Sequence, residues 1–325
     1  MKDFEFQQII SASEDGLPIS EELALSVLTA SSSDIPHLLS AASRVRNRYF
    51  GDAVKMCSIL NAKSGACPED CAFCAQAACH DTGVEAVSLV SEEGAVTAYE
   101  EASKLPVTHF GVVTSGDALP PEEIERICNA IRSRKIPHLN WCASLGCLDE
   151  VQLTTLKEAG LKRFHHNLET AESFFPQICT THSYTLRLET VRAARRAGLE
   201  VCCGGIFGLG ESLEQRVEFA SLLASEAVDA IPLNFLIPIP GTALAHLEPM
   251  KPLDILRAVI MLRLTNPRAE IKVCAGRTQL RDLQSMIFYA GATGMMIGPL
   301  LTVAGRDDEQ DMQMLRDLEV DVHGL

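Results

Sequence analysis

The chain has 325 residues, of which 47% are hydrophobic and 22% charged, and its formal net charge is −15 at pH 7. This composition is typical of a soluble globular protein with a large core. An acidic balance of this size disfavours nucleic acid and membrane surfaces as partners, since both are bound through clustered Lys and Arg. The first residues lack the basic start and hydrophobic stretch of a signal peptide, and no run is long enough for a membrane span, so we expect a cytoplasmic protein.

The predicted elements divide into a helical start and a long alternating part. Residues 1–50 are expected to form an N-terminal helical extension, with helix starts near Ser20 and Asp34. Beyond it, the runs predicted as strands are 54–60, 109–113, 138–143, 163–168, 200–207, 230–237, 270–275 and 294–297. The stretches predicted as helices are 121–133, 148–159, 184–197, 213–225 and 253–264.

Regular alternation of strands and helices implies parallel strands, and eight units favour an α/β fold, a (β/α)₈ barrel of TIM type. An open doubly wound sheet is the alternative, because a count of elements does not separate the two. We find no repeat or linker that divides the alternating part. Residues 51–325 are therefore expected to form one barrel with a C-terminal extension.

Three of the twelve cysteines stand close together directly after the first predicted strand. Cys67, Cys71 and Cys74 have three and two residues between them, in a loop where barrel enzymes place their active sites. In a reducing compartment, such spacing indicates a metal or catalytic site rather than disulfides. It favours an iron–sulfur cluster, with a zinc site completed by Cys79 or His80 as the alternative.

This cysteine pattern, with an aromatic residue, Phe73, before the last cysteine, resembles the radical S-adenosylmethionine superfamily. The resemblance implies a 4Fe–4S cluster bound by three thiolates, with S-adenosylmethionine chelating the fourth iron. One electron from the reduced cluster would break the sulfonium bond and release a 5′-deoxyadenosyl radical. The cofactor would carry the difficult chemistry, while the protein positions it and excludes water.

Longer segments resemble the biotin synthase family in particular. The matching segments are 61–71, 166–170, 202–211, 232–235, 275–277 and 300–302. Together they extend from about residue 50 to about residue 320, in the order in which the family has them. The resemblance implies insertion of sulfur into dethiobiotin to form biotin, by a homodimer that receives electrons from flavodoxin or ferredoxin.

The resemblance also assigns residues to the cofactor. Those that it places at S-adenosylmethionine are Phe73, Asn167, Glu169, Gly204, Gly205 and Ile206. Phe73 would lie against the adenine, and an acidic residue at a strand end, such as Glu169, is a suitable acceptor for ribose hydroxyls. The glycine pair would allow close approach of the methionyl group, although by itself it also fits a bulge or a tight packing point.

Three residues match positions near the substrate. Asn234 and Thr302 correspond to contacts with dethiobiotin, although alone they also fit a strand-end hydrogen bond and a helix cap. His165 stands where the family often has Asn, and could donate to the ureido carbonyl depending on its protonation. The candidate catalytic residues are Asn167, Asn234 and Lys272.

In the better-known branch of the family, three cysteines and an arginine hold a 2Fe–2S cluster that is sacrificed as the sulfur donor. The corresponding residues here are Gly111, Cys142, Cys202 and Lys272, so two of the four ligands are missing. Cys274 lies two residues beyond Lys272, and strand alternation puts both on one face. Three thiolates, from Cys142, Cys202 and Cys274, suit an auxiliary four-iron cluster with one open iron better than a 2Fe–2S cluster. The alternative is that they are ordinary core cysteines.

The remaining cysteines receive minor roles. Cys203 is expected to face away from Cys202 and pack in the core, and Cys147 is a reserve ligand. The cysteines read as structural or incidental are Cys57, Cys79, Cys128 and Cys179. Two other functions stay open: a radical enzyme of the hydrogenase-maturation or methylornithine-synthase type, and a non-catalytic iron–sulfur carrier.

Overall fold

The structure is a computed structural model that describes residues 1–298, 301–302 and 305–322. The helices are α1 Asp3–Asp15, α2 Glu21–Leu28, α3 Ile35–Phe50, α4 Glu92–Ala102, α5 Pro121–Ser133, α6 Glu150–Ala159, α7 Tyr184–Arg196, α8 Leu213–Ser225, α9 Pro252–Thr265, α10 Met286–Tyr289 and α11 Asp308–Asp317. The strands are β1 Ala53–Val54, β2 Met56–Lys63, β3 Val107–Thr114, β4 Asn140–Ser144, β5 Arg163–His165, β6 Glu200–Cys202, β7 Gly205–Phe207, β8 Ala230–Phe235, β9 Glu270–Val273, β10 Gly294–Met295 and β11 Asp321–Val322. In the described part of the chain, no helix is both long and hydrophobic enough to cross a membrane.

The strands β2 to β10 form a parallel barrel with eight strand positions, which we call staves. Their order is β2-β3-β4-β5-β6-β8-β9-β10, and β7 continues the stave of β6 and pairs with β8. We number the staves 1 to 8 from β2 to β10, so that β6 and β7 together are stave 5. The predicted barrel is confirmed. Each of the eight predicted strands overlaps one stave, and the run 200–207 is one stave broken at Cys203 and Gly204.

Staves 1 and 8 close the barrel. Cys57 forms a parallel bridge with Met296, and the Ile297 N–H donates to the Cys57 carbonyl at 3.0 Å. The Lys55 N–H donates to the Thr293 carbonyl at 2.9 Å. These bonds link the first and last strands of the sheet, so the open doubly wound alternative is wrong.

The outer helices begin and end where their sequences provide caps. Asp149 and Gln152 form a capping box at the start of α6, and Ser212 and Gln215 form another at α8. Such reciprocal bonds satisfy backbone N–H groups that have no partner within the helix. Gly160 ends α6 in the left-handed conformation, with φ 115°, which glycine adopts without strain.

Helices α1 to α3 precede the barrel and pack against its outer layer. α2 and α3 contact α9, and their buried side chains belong to the same hydrophobic core as the barrel strands. Arg46 of α3 is buried and donates to the backbone carbonyls of Ala292, Gly51 and Ala53. This one arginine therefore connects the N-terminal helices to the segments that precede the first and the last strand of the barrel. β1 pairs with β11 in a separate two-stranded sheet.

An ion-pair network closes the amino-terminal end of the barrel. Glu270, at the start of β9, accepts from Arg163 at the start of β5 and from Lys55, both at 2.8 Å. Arg163 also pairs with Glu200, at the start of β6, at 2.8 Å. Burial alone would raise the pKa of Glu270, but Lys272 and Arg163 outweigh it and lower that pKa, so the carboxylate stays ionised. The carboxylate compensates two buried cations at the bottom of the barrel.

We predict that Glu270→Gln lowers the free energy of unfolding by about 3 kcal/mol, because Lys272 would then lie buried without a compensating charge and Arg163 would keep only Glu200 as a partner. Urea denaturation of the metal-free chain measures this. The control is Glu189→Gln, since the Glu189 side chain is 56% exposed and pairs with Arg196 on the surface. The control should lose less than about 1 kcal/mol. An equal loss in the two variants would contradict a special role for the buried network.

Candidate active site

A cavity of about 300 Å³ occupies the barrel interior, in the size range of small-molecule sites. The residues predicted at the cofactor or substrate that line it are Phe73, His165, Asn167, Glu169, Ile206, Asn234 and Thr302. The predicted metal ligands that line it are Cys74, Cys142, Cys202 and Cys274, together with Lys272. Four other predicted site residues, Cys67, Cys71, Gly204 and Gly205, are not among the lining residues.

The first half of the cysteine loop is closed on itself by hydrogen bonds. The Cys67 N–H donates to the Gln76 carbonyl at 3.1 Å, and the Ala78 N–H donates to the Cys67 carbonyl at 2.8 Å. The Gln76 side chain accepts from the Ser64 hydroxyl at 3.0 Å and the Gly65 N–H at 3.1 Å. These bonds therefore fix the loop to the end of β2 and hold Cys67 close to that strand end.

The second half of the loop is anchored to the segment before α7. The Cys74 N–H donates to the Cys71 carbonyl at 2.9 Å, which forms a tight turn between the two thiols. The Asp70 carboxylate accepts from the N–H groups of Thr180 and Thr181, at 2.8 and 3.3 Å. The pKa of Asp70 is lowered chiefly by a hydrogen bond from the Thr180 hydroxyl and next by the one from the Thr180 N–H, so the anchor stays ionised.

The loop thiols fit an iron–sulfur cluster by their chemistry. Burial raises the pKa of the Cys71 and Cys74 thiols, because a thiolate is poorly solvated there. A metal centre supplies the positive charge that such thiols need to ionise, and three thiolates on one short loop are the donor set of a cluster with one free iron. For the zinc alternative, Cys79 is exposed, and the His80 ring contacts the Cys74 carbonyl at 2.9 Å rather than a thiol.

Sequence reasoning missed two residues beside Cys71. The Cys71 Sγ lies 3.8 Å from the Cys179 Sγ, which lies 3.4 Å from Nδ1 of His182. The ligand atoms of these three residues all lie within 4.8 Å of one another. No local pattern signals this group, since Cys71 and Cys179 are 108 residues apart in the chain.

Asn167 and Glu169 form a small polar cluster at the cavity wall. The Asn167 side chain donates to the Glu169 carboxylate at 3.3 Å and accepts from the Gly204 N–H at 3.1 Å. Arg187, which sequence reasoning did not identify, donates to the Glu169 carboxylate at 3.2 Å and to the Asn167 carbonyl at 2.7 Å. Burial raises the pKa of Glu169, although Arg187 opposes the shift. Glu169 has φ 69°, an uncommon backbone conformation for a residue with a side chain.

Gly204 and Gly205 permit a close approach of two backbone segments. A Cβ on Gly204 would lie 2.1 Å from the Pro232 carbonyl oxygen, and one on Gly205 would lie 2.1 Å from that of Glu169. The Ile206 N–H also donates to the Glu169 carbonyl at 2.7 Å. The glycine pair therefore helps to hold Glu169 in its unusual conformation. Its contact with a cofactor stays a prediction.

Three buried thiols and an ammonium share the lower cavity. Cys142 lies on β4, Cys202 on β6 and Cys274 directly after β9, whose residue Lys272 also faces the cavity. Burial raises the pKa of Cys142 and of Cys202 to about 12, although Lys272 opposes the shift. Cys203 is fully buried in the hydrophobic core. The donor set fits a cluster with thiolate ligands and a nearby positive charge.

Cys57, His109 and Arg163 are among the cavity residues to which the sequence assigns no site role. The sequence indicates a structural or incidental role for Cys57, yet Cys57 lines the same cavity as Cys274. Burial raises the pKa of Cys274, and the neighbouring thiols of Cys57 and Cys202 act in the same direction because two adjacent thiolates would repel each other. Burial lowers the pKa of His109 to about 2, with Lys272 acting in the same direction, so His109 is neutral.

The candidate substrate residues lie at different depths. The Asn234 side chain donates to the Gly205 carbonyl at 3.2 Å and accepts from the Ala275 N–H at 3.0 Å, which joins staves 5, 6 and 7. Thr302 is exposed at the cavity wall, and Leu300, from the same matching segment, lies outside the described residues.

His165 lies next to one of the interior thiols. Its Nδ1 is 3.4 Å from the Cys202 Sγ. Burial lowers the pKa of His165 to about 4, and the positive charge of Arg187 acts in the same direction. The ring is therefore neutral at physiological pH and has one N–H to donate.

Comparisons with known proteins agree with this architecture. The Radical SAM superfamily profile matches residues 62–223, and the Biotin and Thiamin Synthesis associated domain matches residues 232–321. The biotin synthase of Maridesulfovibrio salexigens is 50% identical over 320 residues, which cover 98% of each chain. That of Geobacter metallireducens is 51% identical over 311 residues, 95% of this chain and 94% of the relative.

Solved structures share the fold at lower identity. Methylornithine synthase has a TM-score of 0.82 at 19% identity and covers 96% of both chains. The FeFe-hydrogenase maturase HydG from Carboxydothermus hydrogenoformans has a TM-score of 0.79 at 19% identity, over 98% of this chain and 79% of that one. At this identity the likeness shows the fold alone. The full-length relatives at about half identity decide the family: the chain belongs to the biotin synthases of the radical S-adenosylmethionine superfamily.

Proposed function

We propose that the chain forms biotin by inserting sulfur into dethiobiotin inside the barrel cavity, between two iron–sulfur centres. The geometric observation that supports this proposal is that Cys74 of the loop and the interior thiols line the same cavity. A radical generator and a sulfur donor can therefore reach one substrate. Family membership supports the reaction itself, because relatives named biotin synthase match the chain over nearly its full length.

The loop of Cys67, Cys71 and Cys74 would hold the 4Fe–4S cluster, and S-adenosylmethionine would lie in the upper cavity. When bound, this centre supplies the electron that cleaves S-adenosylmethionine to the 5′-deoxyadenosyl radical. Phe73 packs against the adenine, and the carboxylate of Glu169 accepts from ribose hydroxyls. Arg187 supports this role, since it holds both the Glu169 carboxylate and the backbone of Asn167. Ile206 completes this wall of the site, and Gly204 and Gly205 support it by packing against the backbone of Pro232 and Glu169.

An auxiliary four-iron cluster would lie below, on Cys142, Cys202 and Cys274. Three thiolates would leave one iron without a protein ligand, and a sulfide bound there would supply the sulfur for biotin. Lys272 lies 3.8 Å from the Glu270 carboxylate, and as an ammonium it has no lone pair to offer iron, so we do not count it as a ligand. Its charge instead stabilises an anionic cluster. Each new C–S bond replaces a C–H bond, whose hydrogen must first be abstracted by the radical. The substrate therefore has to lie between the centre that generates the radical and the centre that donates sulfur.

Dethiobiotin would occupy the space between the clusters, near His165 and Asn234, with Thr302 at the opening. The ureido group has a carbonyl acceptor and N–H donors. The neutral His165 ring can donate one hydrogen bond, and the Asn234 amide has both kinds of group. We further expect a cytoplasmic homodimer that takes electrons from flavodoxin or ferredoxin, as the family resemblance implies.

Two other functions are less well supported. A radical enzyme of the methylornithine-synthase or hydrogenase-maturation type would share the fold, but it gives no reason for three interior thiols around Lys272. A non-catalytic iron–sulfur carrier would not need the polar cluster of Asn167, Glu169 and Arg187 in the same cavity. Sulfur transfer to dethiobiotin would distinguish a biotin synthase from another radical enzyme. Cleavage of S-adenosylmethionine would distinguish it from a non-catalytic carrier.

We predict that the anaerobic enzyme, given dethiobiotin, S-adenosylmethionine and a reductant, produces both biotin and 5′-deoxyadenosine. Cys71→Ala should lower both products at least about 100-fold, because the first cluster loses a ligand. The control Cys79→Ala changes an exposed cysteine outside the loop triplet and should keep the wild-type rate. Deoxyadenosine without biotin would favour another radical enzyme, and unchanged radical formation in Cys71→Ala would refute the cluster assignment.

Iron and sulfide analysis tests the auxiliary cluster. After anaerobic reconstitution we expect about eight irons per chain, and Cys142→Ala or Cys202→Ala should lower this to about four. The control Cys128→Ala changes a buried cysteine of α5 that is remote from the cavity, and it should keep the full iron content. A wild-type content of about four irons, unchanged in the Cys142, Cys202 and Cys274 variants, would contradict the proposal.

A further inference from the structure

The four cysteines that line the cavity below the loop lie on alternate staves of the barrel. Cys57 is on stave 1, Cys142 on stave 3, Cys202 on stave 5 and Cys274 on stave 7. In a (β/α)₈ barrel, the interior is filled by layers of four side chains, each layer contributed by alternate strands. Residues of one layer come from staves of one parity, so the strand register decides which of these cysteines share a layer.

The register places Cys57 in the layer of Cys142. Cys57 pairs with His109, and His109 pairs with Asn140, two residues before Cys142. A shear of about 8 over eight strands staggers a layer by about two residues for every second strand. The step from Cys57 to Cys142 has this stagger.

The same stagger continues around the barrel. Cys142 pairs with Arg163, which pairs with Glu200, two residues before Cys202. Cys202 therefore shares the layer of Cys142.

Stave 7 contributes Lys272, rather than Cys274, to this layer. Cys202 pairs with Ala230, which pairs with Glu270, two residues before Lys272. Cys274 is four residues beyond Glu270 and so lies nearer the cavity mouth, in the next layer that the odd-numbered staves contribute.

The circuit closes on the residue where it began. Lys272 pairs with Gly294, and Met296, two residues beyond Gly294, bridges to Cys57. One layer thus consists of Cys57, Cys142, Cys202 and Lys272, which is three thiols and one ammonium. Cys274 lies above the ammonium, toward the substrate space.

The stave next to that of Cys57 offers no thiol to the cavity. Gly111 of stave 2 has no side chain, and a Cβ there would lie 3.2 Å from Cγ2 of Ile59. Ile59 is two residues beyond Cys57 and lines the same cavity, so it fills the space beside Gly111. Cys57 provides a thiol on the adjacent strand, one layer deeper in the barrel than Gly111.

We propose that Cys57 is an iron ligand of the auxiliary cluster, and that Cys57, Cys142 and Cys202 hold three of its irons from a single layer. The fourth iron then faces the substrate space, beside Cys274. This inference rests on the proposed function and deepens it, because it changes which three thiolates are indispensable. Each thiol loses its proton when iron binds, and Lys272, in the same layer, offsets part of the negative charge.

The test uses the full chain with Cys67, Cys71 and Cys74 all changed to Ala, so that only the interior site can hold a cluster. After anaerobic reconstitution this parent should bind about four irons and about four sulfides. Adding Cys57→Ala should lower the iron content at least about threefold or change the electron paramagnetic resonance spectrum of the reduced cluster. The matched control adds Cys203→Ala, which removes a fully buried thiol outside the cavity and should leave both unchanged.

Cys57→Ser separates ligand loss from misfolding, because it keeps the size of the side chain and offers an oxygen ligand. It should retain more iron than Cys57→Ala, with a shifted spectrum, while circular dichroism of all metal-free variants stays the same. Full iron content with an unchanged spectrum in Cys57→Ala would overturn the assignment of Cys57 alone. A parent that binds no interior iron would instead overturn the auxiliary cluster, and this inference with it.

Discussion

The buried carboxylate of Glu270 is the constraint on which the interior of the barrel depends. It compensates Arg163 and lies 3.8 Å from the ammonium of Lys272, and so allows both cations to stay in a closed interior. These cations in turn stabilise the ionised forms of the thiols above them, because both Arg163 and Lys272 oppose the rise in pKa of Cys142 and Cys202. These charges would therefore favour the anionic cluster that we propose for the lower cavity.

The two groups of thiols are positioned by different means. Cys67, Cys71 and Cys74 depend on loop hydrogen bonds and on the anchor between Asp70 and the segment before α7. The interior thiols depend on the pleat and register of separate staves, which change little without rearrangement of the barrel. The loop follows the carboxyl end of β2, where a cofactor can enter, whereas the interior site is closed at its lower end by the ion pairs of Glu270. This division fits a reaction in which one centre binds an exchanging cofactor and the other gives up sulfur.

The sequence predicts what depends on local pattern. Hydrophobic runs located all eight staves, and the spacing of the loop cysteines indicated a metal site. It did not reveal Cys57, Cys179 or Arg187, because each contacts residues of other structural elements. The inward orientation of Cys57 depends on the phase of a strand, and its layer depends on the stagger accumulated around the barrel. Neither the phase of the strand nor the accumulated stagger can be predicted from a local sequence motif.

The most direct test of this account is an anaerobic crystal structure of the reconstituted enzyme with S-adenosylmethionine and dethiobiotin, with iron located by anomalous scattering. The account predicts two iron centres, one on the loop of Cys67, Cys71 and Cys74 and one on the interior thiols, with dethiobiotin between them. Iron at the loop alone, or zinc in place of iron, would contradict it.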